Sequence, residues 1–309
     1  MPVNKIWISA HSDLPSGVTT VQEICAFWKR ILDEREYRPV DLILFPECCS
    51  RPRGLPKELT YQLSDESYLP LLEMLSVEAR KRRCYIAFSA HVPPAVAGDR
   101  RNAVTLIDRG GQVCAQYFKV APTKDEIEIR GIKPGDGPVI AECDFGRVGM
   151  FLCFDINFPE LMLAYRSLHP DLMLFASACD GTIMRSHWAY MCRCHLLSAI
   201  GLGVCTVLDP AGSVLARSTN YRSYVRAQIN LDCCNVPLGY PWKDIHDLQR
   251  KYPDRFVVDV PAGLSTGVAY SYDPDRSVAS FLEEAGIPVL DDYYNEMRKT
   301  YHDLGVPLF

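Results

Sequence analysis

Four stretches of nearly uninterrupted apolar sequence constrain this chain most: DLILF (41–45), CYIAFSAHV (84–92), GMFLCF (149–154) and DLMLFASA (171–178). Each is short and bounded by proline, glycine or polar residues, as expected of a strand buried on both faces. Amphipathic segments separate them. Val21, Ile24, Phe27, Trp28 and Ile31 recur at helical spacing within 19–35, and Leu69, Leu72, Leu75 and Ala79 do so within 66–82. A further helix is expected to start at Pro159, since proline suits the first helical turn, and another to cover 187–200. Residues 3–9 and 227–232 read as the outermost strands of the series. Hairpins are expected over 102–118 around Arg109-Gly110-Gly111, at Gly146, and across Asp209-Pro210-Ala211-Gly212. Strands alternate with helices, but the hairpins interrupt the order. The pattern therefore predicts an α/β chain of mixed sheets covered by helices rather than a doubly wound parallel sheet.

From about residue 235 the text changes to prolines (Pro237, Pro241, Pro253, Pro261) and aromatics, with helical stretches at 243–251, 277–285 and 291–303. This divides the chain into 1–235 and a C-terminal extension or arm, 236–309, rather than a second domain. The 33 basic and 38 acidic side chains give a net charge of −5, and no long Lys/Arg run marks a nucleic-acid or anionic-lipid surface. No stretch approaches the ~18 consecutive apolar residues of a membrane span. The start, 1–17, resembles neither a signal nor a transit peptide, so the expected location is the cytoplasm. Thirteen cysteines, an odd number with two adjacent pairs, fit reduced thiols better than a disulfide framework.

Three passages place one reactive side chain at the carboxyl end of a strand-like run, where α/β folds present functional groups. Glu47 ends LILFPE, Lys119 ends QYFK, and Cys153 lies in GMFLCFDINFPEL between a strand and the helix at Pro159. Taken singly, Glu47 and Lys119 read as solvated loop charges and Cys153 as a small buried hydrophobe. In order, with a strand before each, they resemble the Glu-Lys-Cys triad of the nitrilase superfamily, the carbon–nitrogen hydrolases. FPE (45–47), YFK (117–119) and CFDINFPEL (153–161) are similar to its three motifs. Asn102-Ala103-Val104, Pro134-Gly135-Asp136, Trp188, Arg193 and Asp209-Pro210-Ala211-Gly212 extend the likeness over roughly 3–232.

The resemblance implies an αββα four-layer sandwich and hydrolysis of a non-peptide C–N bond, with neither metal nor cofactor. It implies Glu47 as general base, Cys153 as nucleophile forming a thioester, and Lys119 with the backbone N–H of Phe154 stabilising the oxyanion. It also implies a second glutamate after the lysine. Pro122-Thr123-Lys124-Asp125-Glu126 assigns this to Glu126, with Glu128 as the competing choice. The tail after Cys153 resembles amidase and carbamoyl-hydrolase branches, so a small amide or N-carbamoyl substrate is expected. A nitrile is the alternative, and a non-catalytic scaffold on the same fold the second alternative. A homodimer or larger homo-oligomer is the expected assembly. His187, Cys192, Cys194 and His195 lack the paired spacing of a zinc site and read as packing. One departure stands out: Ala199–Val204 runs almost directly into the Asp209 hairpin, so a strand and loop of the family pattern are expected to be missing.

Overall fold

In the computed structural model, which describes residues 5–306, the apolar runs form the middles of two six-stranded sheets. Val3 and Asn4 of the first expected strand lie outside the described residues. The first sheet takes β1 (Lys5–His11), β2 (Leu42–Leu44), β3 (Tyr85–Val92), β4 (Arg101–Ile107) and β5 (Val113–Phe118). The second takes β6 (Ile140–Cys143), β7 (Gly146–Leu152), β8 (Leu172–Ser177), β9 (His195–Ile200), β10 (Thr206–Leu208) and β11 (Val214–Arg217). The chain then returns to the first sheet as β12 (Tyr224–Asn230), antiparallel to β1 from His11↔Tyr224 to Lys5↔Asn230. The strand orders are β12-β1-β2-β3-β4-β5 and β11-β10-β9-β8-β7-β6.

Each sheet has a parallel trio, β1-β2-β3 or β7-β8-β9, with one antiparallel strand on one side and an antiparallel meander on the other. The middle strands β2, β3, β8 and β9 are buried along their whole length, which is why their sequences do not alternate. Ile8, Leu44, Ala87 and Val104 of the first sheet share one core with Met150, Leu174 and Leu197 of the second. Ile43, Ile86 and Phe88 face the other way, onto Trp28, Leu71 and Leu75 of helices Val21–Arg35 and Tyr68–Arg82. Helices Pro159–Ser167 and Thr182–Cys192 bring Tyr165 and Trp188 against Phe151 on the second sheet. The result is the expected helix–sheet–sheet–helix sandwich.

The expectation of one helix over 187–200 is corrected. The helix ends at Cys192, Arg193 turns into the left-handed region (φ +57°), and His195–Ile200 pairs with β8 as β9. Six mostly apolar residues, HLLSAI, cannot be told from a helix end by periodicity, and the available strand edge decides. The strand expected to be missing is therefore present as β9, joined to β10 by residues 201–205.

Beyond β12 the chain forms β13 (Cys233–Pro237), β14 (Phe256–Asp259) and β15 (Thr266–Ser271), paired in the order β13-β15-β14. Helices Trp242–Lys251 and Val278–Ala285 close a small core of Val236, Ile245, Phe256, Phe281 and Leu282. The expected helical stretches are there, including Leu290–Asp303, while the strands were not anticipated. Among the described residues no helix is long and apolar enough to cross a membrane.

Candidate active site

The strand ends of the two sheets meet at a cavity of about 620 Å³, lined by Glu47, Lys119, Glu126, Cys153, Cys48 and His91 among others. Glu47 follows β2, Lys119 follows β5 directly, and Cys153 follows β7 directly. Two close fits hold the lysine strand end. Lys119 donates its backbone N–H to Asn102 O at 2.8 Å, and Gly135 donates to Lys119 O at 2.8 Å. A side chain at Gly135 would bring Cβ to 2.1 Å from Phe118 O, so only glycine allows that approach.

Lys119 is 1% exposed and its Nζ is clamped between Glu47 Oε1 at 2.9 Å and Glu126 Oε2 at 2.8 Å. Asn102 Nδ2 bridges the same two carboxylates, at 3.0 Å from Glu47 Oε1 and 2.7 Å from Glu126 Oε1. The other oxygen of Glu47 accepts from the Ala178 backbone N–H at 3.1 Å, just past β8. Burial alone would lower the Lys119 pKa, but the Glu47 and Glu126 charges outweigh it and hold the ammonium above its ordinary range. Burial likewise pushes the Glu126 carboxyl up, and the Lys119 charge, the Thr123 amide and Asn102 more than reverse that.

Glu126 owes its place to a capping box. Thr123 Oγ1 accepts from Glu126 N, and Glu126 Oε2 accepts from Thr123 N at 2.7 Å, which starts the short helix Lys124–Glu128. Glu128, the competing choice, points away from this group and pairs loosely with Lys124 at 3.8 Å, both exposed.

Cys153 opens a 3₁₀ turn, Cys153–Asn157, with φ +41°, a left-handed backbone rare outside glycine. Burial pushes its thiol up to about 12, the adjacent Glu47 adds to the rise, and Lys119 offsets part of it. At neutral pH the group is therefore an uncharged thiol. Phe154 follows in the turn; its side chain is 40% exposed and packs edge-on against Phe158 at 5.5 Å.

Several contributors were not anticipated. Asp155 is fully buried and accepts from Tyr117 Oη at 2.7 Å, Ala121 N at 2.7 Å and Leu152 N at 2.9 Å, tying the cysteine turn to the lysine strand. Trp188 Nε1 donates to Ile156 O at 3.0 Å and steadies the same turn. His91 accepts at Nδ1 from the Arg130 guanidinium at 3.1 Å, leaving Nε2 3.5 Å from Cys48 Sγ. Burial and the Arg130 charge lower the His91 pKa to about 3, so the ring is neutral. A polar residue within a mostly apolar strand was the available signal for Asn102 and His91. His195, on β9, turns its nitrogens to Leu208 O at 3.2 Å and Asn230 O at 3.1 Å, both within packed structure.

A family model described as carbon-nitrogen hydrolase matches residues 10–235, and the chain belongs to that family of the nitrilase superfamily. It is accordingly an enzyme of carbon–nitrogen hydrolase type. A hydrolase of Schizosaccharomyces pombe is 24% identical over 214 residues, which span 62% of this chain and 66% of that protein, just under two thirds of it. Omega-amidase NIT2 of Xenopus tropicalis is 23% identical over 229 residues, 66% of this chain and 81% of that one. The crystal structure of an amidase from Nesterenkonia sp. has the same fold, with a TM-score of 0.63 at 21% identity over 74% of this chain and 92% of that one.

Proposed function

We propose that the chain hydrolyses a small carboxylic amide or N-carbamoyl compound through a thioester on Cys153. The observation that carries this reading is the Glu47–Lys119–Glu126 clamp on the same cavity as a neutral, buried thiol. Glu47 takes the thiol proton as Sγ attacks the carbonyl carbon, and returns it to the departing nitrogen as the C–N bond breaks. The ammonium of Lys119 and the backbone N–H of Phe154 receive the developing oxyanion. Water, deprotonated by Glu47, then attacks the thioester and releases the acid. Glu126 and Asn102 act by positioning: they hold Lys119 charged and fix Glu47 against it. The omega-amidase and amidase names of relatives support amides over nitriles. We further propose that Leu290–Asp303, on which Leu290 is the buried residue, is the arm of a homo-oligomer.

Ammonia release from amides, N-carbamoyl amino acids and nitriles, measured for the wild type and Cys153→Ala, tests the reading. Release from one class that disappears in the variant is expected. Undiminished release from the variant would refute the thioester route.

A further inference from the structure

Cys153 and Ser177 end two neighbouring strands of the second sheet. β7 and β8 run parallel with Leu152 beside Ala176, so the next residues, Cys153 and Ser177, come side by side at the active-site end. They are exposed to different surroundings. Cys153 and Ala178 line the cavity, while Ser177 is fully buried behind them and is the one polar residue of LMLFAS. A hydroxyl in that place needs partners, and it has them: Ser177 Oγ donates to Cys179 O at 2.6 Å and accepts from Cys179 N–H at 2.9 Å. Ala178, held between the two, gives its own N–H to Glu47 Oε2 at 3.1 Å.

The Ser177 oxygen is also within hydrogen-bonding range of the Cys153 sulfur. Burial and the Glu47 charge favour the thiol there, whereas the Lys119 charge and the Ser177 hydroxyl favour the thiolate. A serine hydroxyl has a single proton and two lone pairs, so it can serve only one acceptor at a time. Beside a neutral thiol, a weak acceptor, Cys179 O is the better partner. Once the sulfur is charged the order reverses, because a hydrogen bond to an ionised group is roughly twice as strong as a neutral one. The change is a rotation about the Cβ–Oγ bond. The buried side chain keeps its place, and the Cys179 N–H stays bonded to the same oxygen.

We propose that Ser177 is a catalytic residue: its hydroxyl turns from Cys179 O to the Cys153 sulfur as the thiol loses its proton, and turns back once the sulfur is acylated. It turns again when water attacks the thioester and the carbon–sulfur bond breaks, returning the electron pair to sulfur. No proton leaves Ser177; those that move pass through Glu47. This rests on the thioester reading above, and a measurement on the thiol alone separates the failure of one from the failure of the other.

That measurement is alkylation by iodoacetamide at about pH 8, followed at each cysteine by peptide mass spectrometry. Cys153 is compared with Cys114, an exposed cysteine on β5, in the wild type, Ser177→Ala and Ser177→Thr. Loss of the hydroxyl should cut the thiolate fraction roughly tenfold. The more basic sulfur is intrinsically more nucleophilic, so alkylation of Cys153 should slow about threefold, with Cys114 unchanged. Threonine keeps the hydroxyl and should restore the rate. With the amide that the wild type hydrolyses best, kcat should fall roughly tenfold in Ser177→Ala and recover in Ser177→Thr. KM should stay, because Ser177 does not face the cavity.

Alkylation slowed in Ser177→Ala, with no amide hydrolysed by the wild type, would keep Ser177 as the partner of the thiol and remove the amide reading. A fall in kcat with alkylation unchanged would overturn the catalytic role and assign the effect to the turn that presents Ala178 to Glu47. Slowed alkylation at full kcat overturns it too, by confining the hydroxyl to the resting thiol. Should Ser177→Thr not fold, Ser177→Ala decides alone, since it removes a single buried oxygen.

Discussion

The two six-stranded sheets share a strand pattern and carry very different chemistry to the cavity. The first delivers Glu47, Asn102 and Lys119, already joined by hydrogen bonds of 2.9 and 3.0 Å, with Glu126 following from the loop beyond β5. The second delivers one neutral thiol on a left-handed backbone, and the Ala178 N–H. The position after β1 that matches Cys153 in the strand pattern is Ser12, and its hydroxyl is spent on Ser223 O at 2.8 Å. The ion pairs of Lys119 are thus settled within one sheet, while the thiol comes from the other. A buried ion group tolerates little rearrangement, because an unpaired charge in a low dielectric is costly. Keeping it on one sheet means that no ion-pair partner of Lys119 has to be brought across when the sheets dock.

The sharpest way to break this division is Cys153→Ala. Ammonia release should fall by at least ~10³-fold with little change in Tm, since a nucleophile is lost and no charge is exposed. Cys48 provides the opposing outcome, as it lies on the first sheet's side of the same cavity, 3.5 Å from His91 Nε2. Activity kept in Cys153→Ala and lost in Cys48→Ala would place the whole reaction on the first sheet.

Lys119→Met tests the other half. It leaves Glu47 and Glu126 facing each other without a cation, so activity should fall by roughly 10²-fold or more and stability by about 3 kcal/mol. The pH dependence should move with it. Glu126 is held below its ordinary value of 4.5, chiefly against burial and by Lys119. Its contribution to stability is therefore complete above the unfolded pKa and lost as pH falls through the depressed folded one. In Lys119→Met the carboxyl is pulled up instead, and the acid loss of Tm should begin at higher pH than in the wild type. Coincident acid profiles would show that Lys119 does not set the charge state of this group. At the alkaline end the second sheet answers. The thiol of Cys153, raised to about 12 from 9.0, stabilises the fold fully below the unfolded pKa and loses that contribution between the two. Cys153→Ala should lose less Tm than the wild type as pH rises from about 9 toward 12.

Part of this arrangement was legible before folding: a strand-like run ahead of Glu47, Lys119 and Cys153 marked each of them, and the resemblance to the nitrilase superfamily grouped them. The middle strands announced themselves as unbroken apolar runs. By contrast β9 hid behind the helix before it, and CCNVP, FVVD and TGVAYS are too short, or too punctuated by proline or glycine, to declare strands. The partners of Asn102 and Asp155 were illegible for a different reason. They lie 55 and 38 residues away, at Glu47 and Tyr117, and no local spacing encodes such a pair.

Asp155 is also where the two sheets are latched. It takes hydrogen bonds from Tyr117 and Ala121 on the lysine side and from Leu152 on the cysteine side. Asp155→Asn keeps one acceptor oxygen but turns an N–H₂ toward groups that donate, at a cost of about 1–3 kcal/mol. Because both reacting sides lean on it, kcat should drop alongside Tm. A drop in Tm with kcat intact would mean that the sheets hold their alignment without the latch.

The smallest effect belongs to Trp188→Phe, which acts inside the second sheet's half alone. Phe151 is stacked between Trp188 at 4.1 Å and Phe175 at 4.6 Å, so a phenyl ring at 188 keeps most of the stack. What is lost is the bond from Nε1 to Ile156 O, a carbonyl of the turn that presents Cys153. One neutral hydrogen bond and a small void amount to about 1–2 kcal/mol, read as a modest fall in Tm. The clamp on Lys119 is untouched, so the acid profile should coincide with that of the wild type while kcat falls a few-fold. A shifted acid profile would show that the charged group and the thiol are coupled through the second sheet, contrary to the division of labour between the two.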